Sequence, residues 1–263
     1  MSETNNIAVT GGDRARTWAT AAAILAAFTI NVLSNIVPLK GQSIGDISNS
    51  VFRDVLIIPA NYAFAIWGVI YLGLISFAIY QALPQQQADP RLRRGGYWMV
   101  VASLSQIVWV FLFQLGSFAL SVVAMLGILG SLIVLYLQLG IGRVPHSRRQ
   151  RWWVDVPISI YLGWISVATI VNIASTLDYI NWGGFGLSGE LWTILMLAIA
   201  GAIAAIVGLQ RGDLAFNAVF IWAFVAIAVR HGDRLAIVAT ALGEAIALAL
   251  ILLWDIQQRS QAR

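Results

Sequence analysis

The sequence contains no cysteine. Disulfides, thiolate nucleophiles, iron–sulfur clusters and cysteine-based zinc sites are therefore excluded. Lysine occurs once, as Lys40 at the edge of a loop, so no apolar segment offers an amine for a Schiff base. The two histidines, His146 and His231, fall in polar connectors. No imidazole is left inside an apolar run to hold a haem iron. Charge is scarce as well: 11% of the 263 residues are charged, against about 25% in soluble domains. A surface that poor in charge is not built to face water. With 59% of residues apolar, the composition specifies a polytopic membrane protein. The net charge of +4 comes almost wholly from Arg in short connectors. It reads as membrane orientation and not as nucleic-acid binding.

Eight apolar runs lie near 17–38, 61–82, 97–115, 118–141, 153–175, 190–209, 214–230 and 234–255. A run of about 20 residues crosses a roughly 30 Å hydrocarbon layer at about 1.5 Å per residue. The expected fold is an all-α, polytopic integral membrane bundle of eight transmembrane helices. The seventh run is short, and its tight connectors suit a helical hairpin. With a cytoplasmic N-terminus, twelve basic residues fall inside and four outside, Arg263 among the twelve. That asymmetry places both termini in the cytoplasm and suits a bacterial inner membrane. Arg14 and Arg16 precede the first run, but no small-residue cleavage site follows it. The run therefore reads as an uncleaved helix and not as a signal peptide.

The connectors divide the chain into a tail (1–16), a five-helix core (17–176), a Gly-rich outer loop (177–189) and a three-helix extension (190–263). The first outer loop, about 39–60, is long enough to fold back over the mouth of the bundle. Two similar strings open the last two helices, Arg211-Gly-Asp213-Leu-Ala and His231-Gly-Asp233-Arg-Leu-Ala. In each, Gly is expected to end one helix and Asp to cap the next. A cell-adhesion reading of Arg-Gly-Asp is set aside in favour of that capping role.

Tryptophan is abundant, with 11 residues. Trp18, Trp98, Trp152, Trp153, Trp182, Trp192 and Trp254 lie near helix ends and suit an interfacial belt. Trp67, Trp109, Trp164 and Trp222 lie deeper, where an indole N–H must find a partner in the bundle, a cavity or a ligand. Three of these share helix faces with other aromatic and polar residues. Phe64, Trp67 and Tyr71 follow a 3, 4 spacing; so do Gln106, Trp109 and Phe113; Tyr161, Trp164, Ala168 and Asn172 follow 3, 4, 4. Three aromatic faces on neighbouring helices can line one flat pocket. Core packing produces the same stripes, and the embedded Gln106 and Asn172 also serve helix association. The pattern alone leaves pocket and packing both open.

Those strings resemble the TspO/MBR family, the tryptophan-rich sensory proteins related to the translocator protein. The family pattern Tyr-x-x-Trp-x-x-x-Ala-x-x-x-Asn stands here as Tyr161, Trp164, Ala168 and Asn172. Its Trp-x-x-x-Tyr stands as Trp67 and Tyr71, and its Trp-x-x-x-Phe as Trp109 and Phe113. The agreement covers 17–176. The family proline that precedes Tyr lies earlier here, at Pro157; Gln106 replaces an Asn, and Val110 a Pro. The family is typically five-helical, so the extension is an addition. The resemblance implies a cavity under the first loop that takes porphyrin, haem or other planar apolar ligands, with no obligatory cofactor. Trp67, Tyr71, Trp109, Phe113, Trp164 and Ala168 would line it. Trp67 and Trp164 match the pair tied in the family to light-dependent porphyrin breakdown, so enzymatic activity stays open, as does a homodimer. The function expected is tetrapyrrole binding for sensing, sequestration or transport, within membrane lipid. Sterol binding is less favoured: no Lys or Arg follows any of the seven Tyr closely enough for the proposed sterol motif.

Glu244 lies midway along the last run. A carboxylate at that depth costs about 2.5–3.5 kcal/mol unless neutralised or paired. The readings are a proton or polar-ligand site, as in a proton-coupled permease, or a neutral Glu bonded to Asn217 or nearby backbone. Gly243 beside it is expected to admit a close helix neighbour.

Overall fold

The computed structural model describes residues 8–261. Residues 1–7 of the expected tail, and Arg263, lie outside the described residues. Eight long helices and one short one carry the fold, and no strand occurs among the described residues. They are α1 (Gly11–Ile36), α2 (Ile44–Ser50), α3 (Ile66–Ala82), α4 (Trp98–Gln114), α5 (Phe118–Gln138), α6 (Val156–Tyr179), α7 (Gly189–Arg211), α8 (Leu214–Arg230) and α9 (Leu235–Gln261). The first helix starts six residues earlier than the apolar pattern suggested. A reciprocal cap explains this: the Thr10 hydroxyl accepts the Asp13 N–H, and Asp13 accepts the Thr10 N–H at 2.9 Å.

Six helical stretches are long and apolar enough to cross a membrane, including a continuous run from Arg148 to Tyr179 that contains α6. The other two, α4 and α8, have 17 residues each. At about 1.5 Å per residue they reach roughly 25 Å, at the lower limit for a span. The architecture is a helical membrane bundle, and the connectors sort to two ends. At one end Arg93 Nε donates to Asp13 at 2.7 Å, Arg91 pairs with Asp155, and Arg211 donates to Ile141 O at 2.8 Å. At the other, Lys40 donates to Leu115 O at 2.8 Å, and Arg234 meets Glu190 at 3.6 Å. Successive long helices therefore run in opposite directions.

Apolar burial drives little helix association where the solvent is lipid, so close packing at small residues matters more. A Cβ on Gly73 of α3 would stand 3.1 Å from Pro157, where α3 crosses the start of α6. The displaced proline thus marks a helix crossing. A Cβ on Gly163 of α6 would stand 3.1 Å from both Phe216 O and Val219 Cβ of α8. The extension joins the core chiefly along this α6–α8 contact.

The Arg-Gly-Asp turn acts as the caps predict. Gly212 takes a left-handed conformation after α7, and Asp213 accepts the N–H groups of Ala215 and Phe216 at 3.1 Å. The second string differs. Asp233 is exposed and sits two residues ahead of Leu235, where α9 starts.

Candidate functional site

A cavity of about 60 Å³ lies among α3, α4, α5 and α6, closed by the loop that joins α1 to α3. That loop forms a lid. Ser43 and Asp46 cap α2 reciprocally, and Phe52, Ile57 and Ile58 are buried beneath it. Ile44, Ser48 and Pro59 of the lid reach the cavity. The helices contribute Phe64 and Trp67, then Gln106, Trp109 and Phe113, then Trp164, Ala168 and Asn172. Eight of the ten residues read from the three helical faces therefore line one space.

Tyr71 and Tyr161 stand behind that wall and fix it. The Tyr71 hydroxyl accepts from Gln106 Nε2 at 2.6 Å and donates to Ala27 O at 3.2 Å. Gln106 Oε1 accepts from the Tyr161 hydroxyl. Trp109 Nε1 donates to Asn172 Oδ1 at 2.9 Å, and Asn172 Nδ2 donates to Ser121 at 3.0 Å. Buried polar groups in lipid need such partners. Gln106 and Asn172 thus hold helices together and orient aromatic rings.

The rings present their faces accordingly. Trp67 stacks on Tyr71 with centroids 5.6 Å apart, and Trp109 on Phe113 at 5.1 Å. Phe64 meets Trp164 edge-on at 6.1 Å. The indole N–H groups of Trp109, Trp192 and Trp222 are all bonded. Those of Trp67 and Trp164 make no hydrogen bond among the described residues, and both side chains line the cavity. Outside Phe64 and Trp67 lies a polar hollow of about 360 Å³ that includes Asn31, Asn35, Asp46, Asn49 and Asn61. Hydrogen bonds from Ser43 hold the Asp46 carboxyl below the usual carboxylate range. Phe64, Trp67 and Ile44 border both spaces, so they stand between the polar hollow and the aromatic interior.

The model of the TSPO-like protein family matches residues 17–254. The chain belongs to the TSPO-like protein family. The match runs through α7, α8 and α9 as well as the first five long helices. No curated protein and no solved structure matches the chain.

In this family member the extension braces the lid. Ala60 N–H donates to Ala226 O at 3.0 Å, and Trp222 Nε1 to Ala63 O at 3.2 Å. Arg230 Nη1 donates to Asn49 Oδ1 at 3.0 Å and to Pro59 O at 3.3 Å. The deep Trp222 of the sequence pattern is thus a lid contact on a partly exposed face, outside the cavity lining.

Glu244 is not part of the cavity. It lies on α9 against Gly201 of α7, where a Cβ would come within 2.1 Å of Oε2. Asn217 does not pair with it: its Nδ2 donates to Asp213 O at 3.0 Å, and its buried Oδ1 has no hydrogen-bond partner among the described residues. The expected close approach at Gly243 is also absent: its Cβ position is open, and Gly201 supplies the small residue instead.

Sequence reasoning missed Met125, Ile128, Ile165, Val167, Val171 and Ser175, and the lid residues Ile44, Ser48 and Pro59. Ser175 was within reach, since it continues the Tyr161–Asn172 face by three more residues. Met125 and Ile128 sit in a largely apolar run; Ser121, four and seven residues before them, and Ser131 are its weak marks of their face.

Proposed function

We propose that this protein binds a planar aromatic ligand of the tetrapyrrole class between Trp67, Trp109 and Trp164. The observation that carries the reading is the cavity wall itself. It offers aromatic faces, a small residue at Ala168, and two indole donors without protein partners. Flat apolar surfaces stack on such rings, and the free N–H groups suit acceptor atoms at a ligand's edge. A cavity of about 60 Å³ is far below the roughly 300–1,000 Å³ of small-molecule sites. Binding a macrocycle therefore requires the lid and the Phe64–Trp67 partition to move outward. Asn-rich walls in the outer hollow would then receive the ligand's polar substituents.

The test is a titration of the detergent-purified protein with protoporphyrin IX, followed by Trp fluorescence and the porphyrin Soret band. Saturable binding should weaken in Trp67→Phe and Trp164→Phe, which keep a ring but lose the N–H. Unchanged affinity in both variants would refute the assigned wall.

A further inference from the structure

At the Arg-rich end, the 139–147 connector, the start of the α6 run and the 211–215 turn enclose a cleft of about 680 Å³. It lies where core and extension meet, at the opposite end of the bundle from the lid. That junction is tight: Gly142 has φ +73°, and a Cβ there would stand 2.5 Å from Arg211 O. Arg143, Arg151, Arg211 and His146 line the cleft beside Asp155 and Asp213.

The two carboxylates are already committed. Asp213 accepts from the Tyr136 hydroxyl at 2.8 Å and the Ser159 hydroxyl at 2.6 Å, besides its two capping bonds. Asp155 is paired with Arg91 and lies 2.9 Å from His146 Nδ1. Arg211 donates to Ile141 O and lies over the Tyr136 ring, with its carbon 5.1 Å from the centroid. The side chains of Arg143 and Arg151 have neither an ion pair nor a hydrogen bond among the described residues; their backbone N–H groups are bonded, to Gly140 O and Ser147 O. Counting Arg91, which pairs with Asp155 from outside the lining, four guanidiniums accompany two carboxylates, so two positive charges remain in excess.

We propose that this cleft binds a phosphate-type anion, presented by the headgroup of an anionic phospholipid. Guanidinium groups match phosphate geometry with paired N–H donors. Basic pockets between membrane helices are suited to anionic headgroups. Trp152, 60% exposed, borders the cleft, and Val144, Val156 and Leu214 give it an apolar wall for the glycerol and acyl part. This site is independent of the aromatic cavity.

The experiment titrates full-length protein in detergent with phosphatidylglycerol, phosphatidylcholine and soluble glycerol phosphate. Thermal melting reads stabilisation, and native mass spectrometry counts retained lipid. Phosphatidylglycerol should raise the melting temperature saturably and stay bound, whereas phosphatidylcholine should do neither. Arg143→Gln/Arg151→Gln should weaken the phosphatidylglycerol midpoint by at least about tenfold, the equivalent of about 1.4 kcal/mol. Arg14→Gln/Arg94→Gln removes two exposed arginines at the same end and should leave the midpoint in place. Stabilisation by glycerol phosphate, lost in Arg143→Gln/Arg151→Gln, would keep the phosphate site and assign it to a soluble ester. Equal responses to both lipids, equal loss in both double variants, or no loss in Arg143→Gln/Arg151→Gln would overturn it.

Discussion

Replacing Arg230 by Ala should loosen the lid without unfolding the bundle. The guanidinium makes two bonds to the lid, to Asn49 Oδ1 and Pro59 O, from a half-buried position. A hydrogen bond involving a charged group contributes about 1.5–3 kcal/mol when well shielded. Exposure discounts that, so a loss of about 1–2 kcal/mol is expected, a factor of about 5–30 in the opening equilibrium. Native-state hydrogen exchange reads this directly. The reporter amides are Ile58, bonded to Val55 O; Ala60, bonded to Ala226 O; and Ala63, bonded to Ala60 O. They should exchange about 5–30 times faster, while α5 amides keep their rates. If the lid is the ligand gate, porphyrin association should accelerate in the same variant. Unchanged exchange at these amides, or equal acceleration throughout the bundle, would refute the brace.

Other positions respond differently. Gly163→Val places side-chain atoms where a Cβ already meets Phe216 O and Val219 at 3.1 Å. It should lower stability by about 1–3 kcal/mol, seen as a fall in melting temperature. His231, buried below the lid, has its pKa lowered from 6.5 by burial and then by Arg230. The folded state thus binds a proton less readily than the unfolded chain. Stability should be intact above about pH 6.5 and fall as pH drops below it. Melting curves from pH 7.5 to 5 should show this slope, and His231→Gln should flatten it. Glu244→Gln removes a mid-helix carboxylate at an estimated cost of about 2.5–3.5 kcal/mol if charged. Its melting temperature should hold or rise with porphyrin affinity unchanged, because Glu244 is outside the cavity; proton-coupled flux abolished by this substitution would instead favour a permease.

The cavity face was legible because its chemistry is unusual for a lipid environment. Trp, Tyr, Gln and Asn at helical spacing stand out against Leu, Ile, Val and Ala, and eight of those ten residues meet at the cavity. Tyr71 and Tyr161 share the spacing yet turn to Gln106, because long side chains on one face can bond laterally instead of pointing forward. Lid closure was foreseeable from loop length. Its anchorage was not, since backbone partners such as Ala226 O and Ala63 O leave no trace in residue type. Glu244 illustrates the same limit: the carboxylate is conspicuous, but its small neighbour Gly201 is one glycine among 23.

The most direct measurement of the central claim is porphyrin binding by Ala168→Leu, with thermal stability recorded on the same sample. Ala168 lines the cavity, so three added carbons fill space that an occupant needs. The account predicts that saturable binding is lost while the melting temperature holds or rises. Wild-type affinity in a protein whose cavity has been filled would contradict it and place the ligand elsewhere.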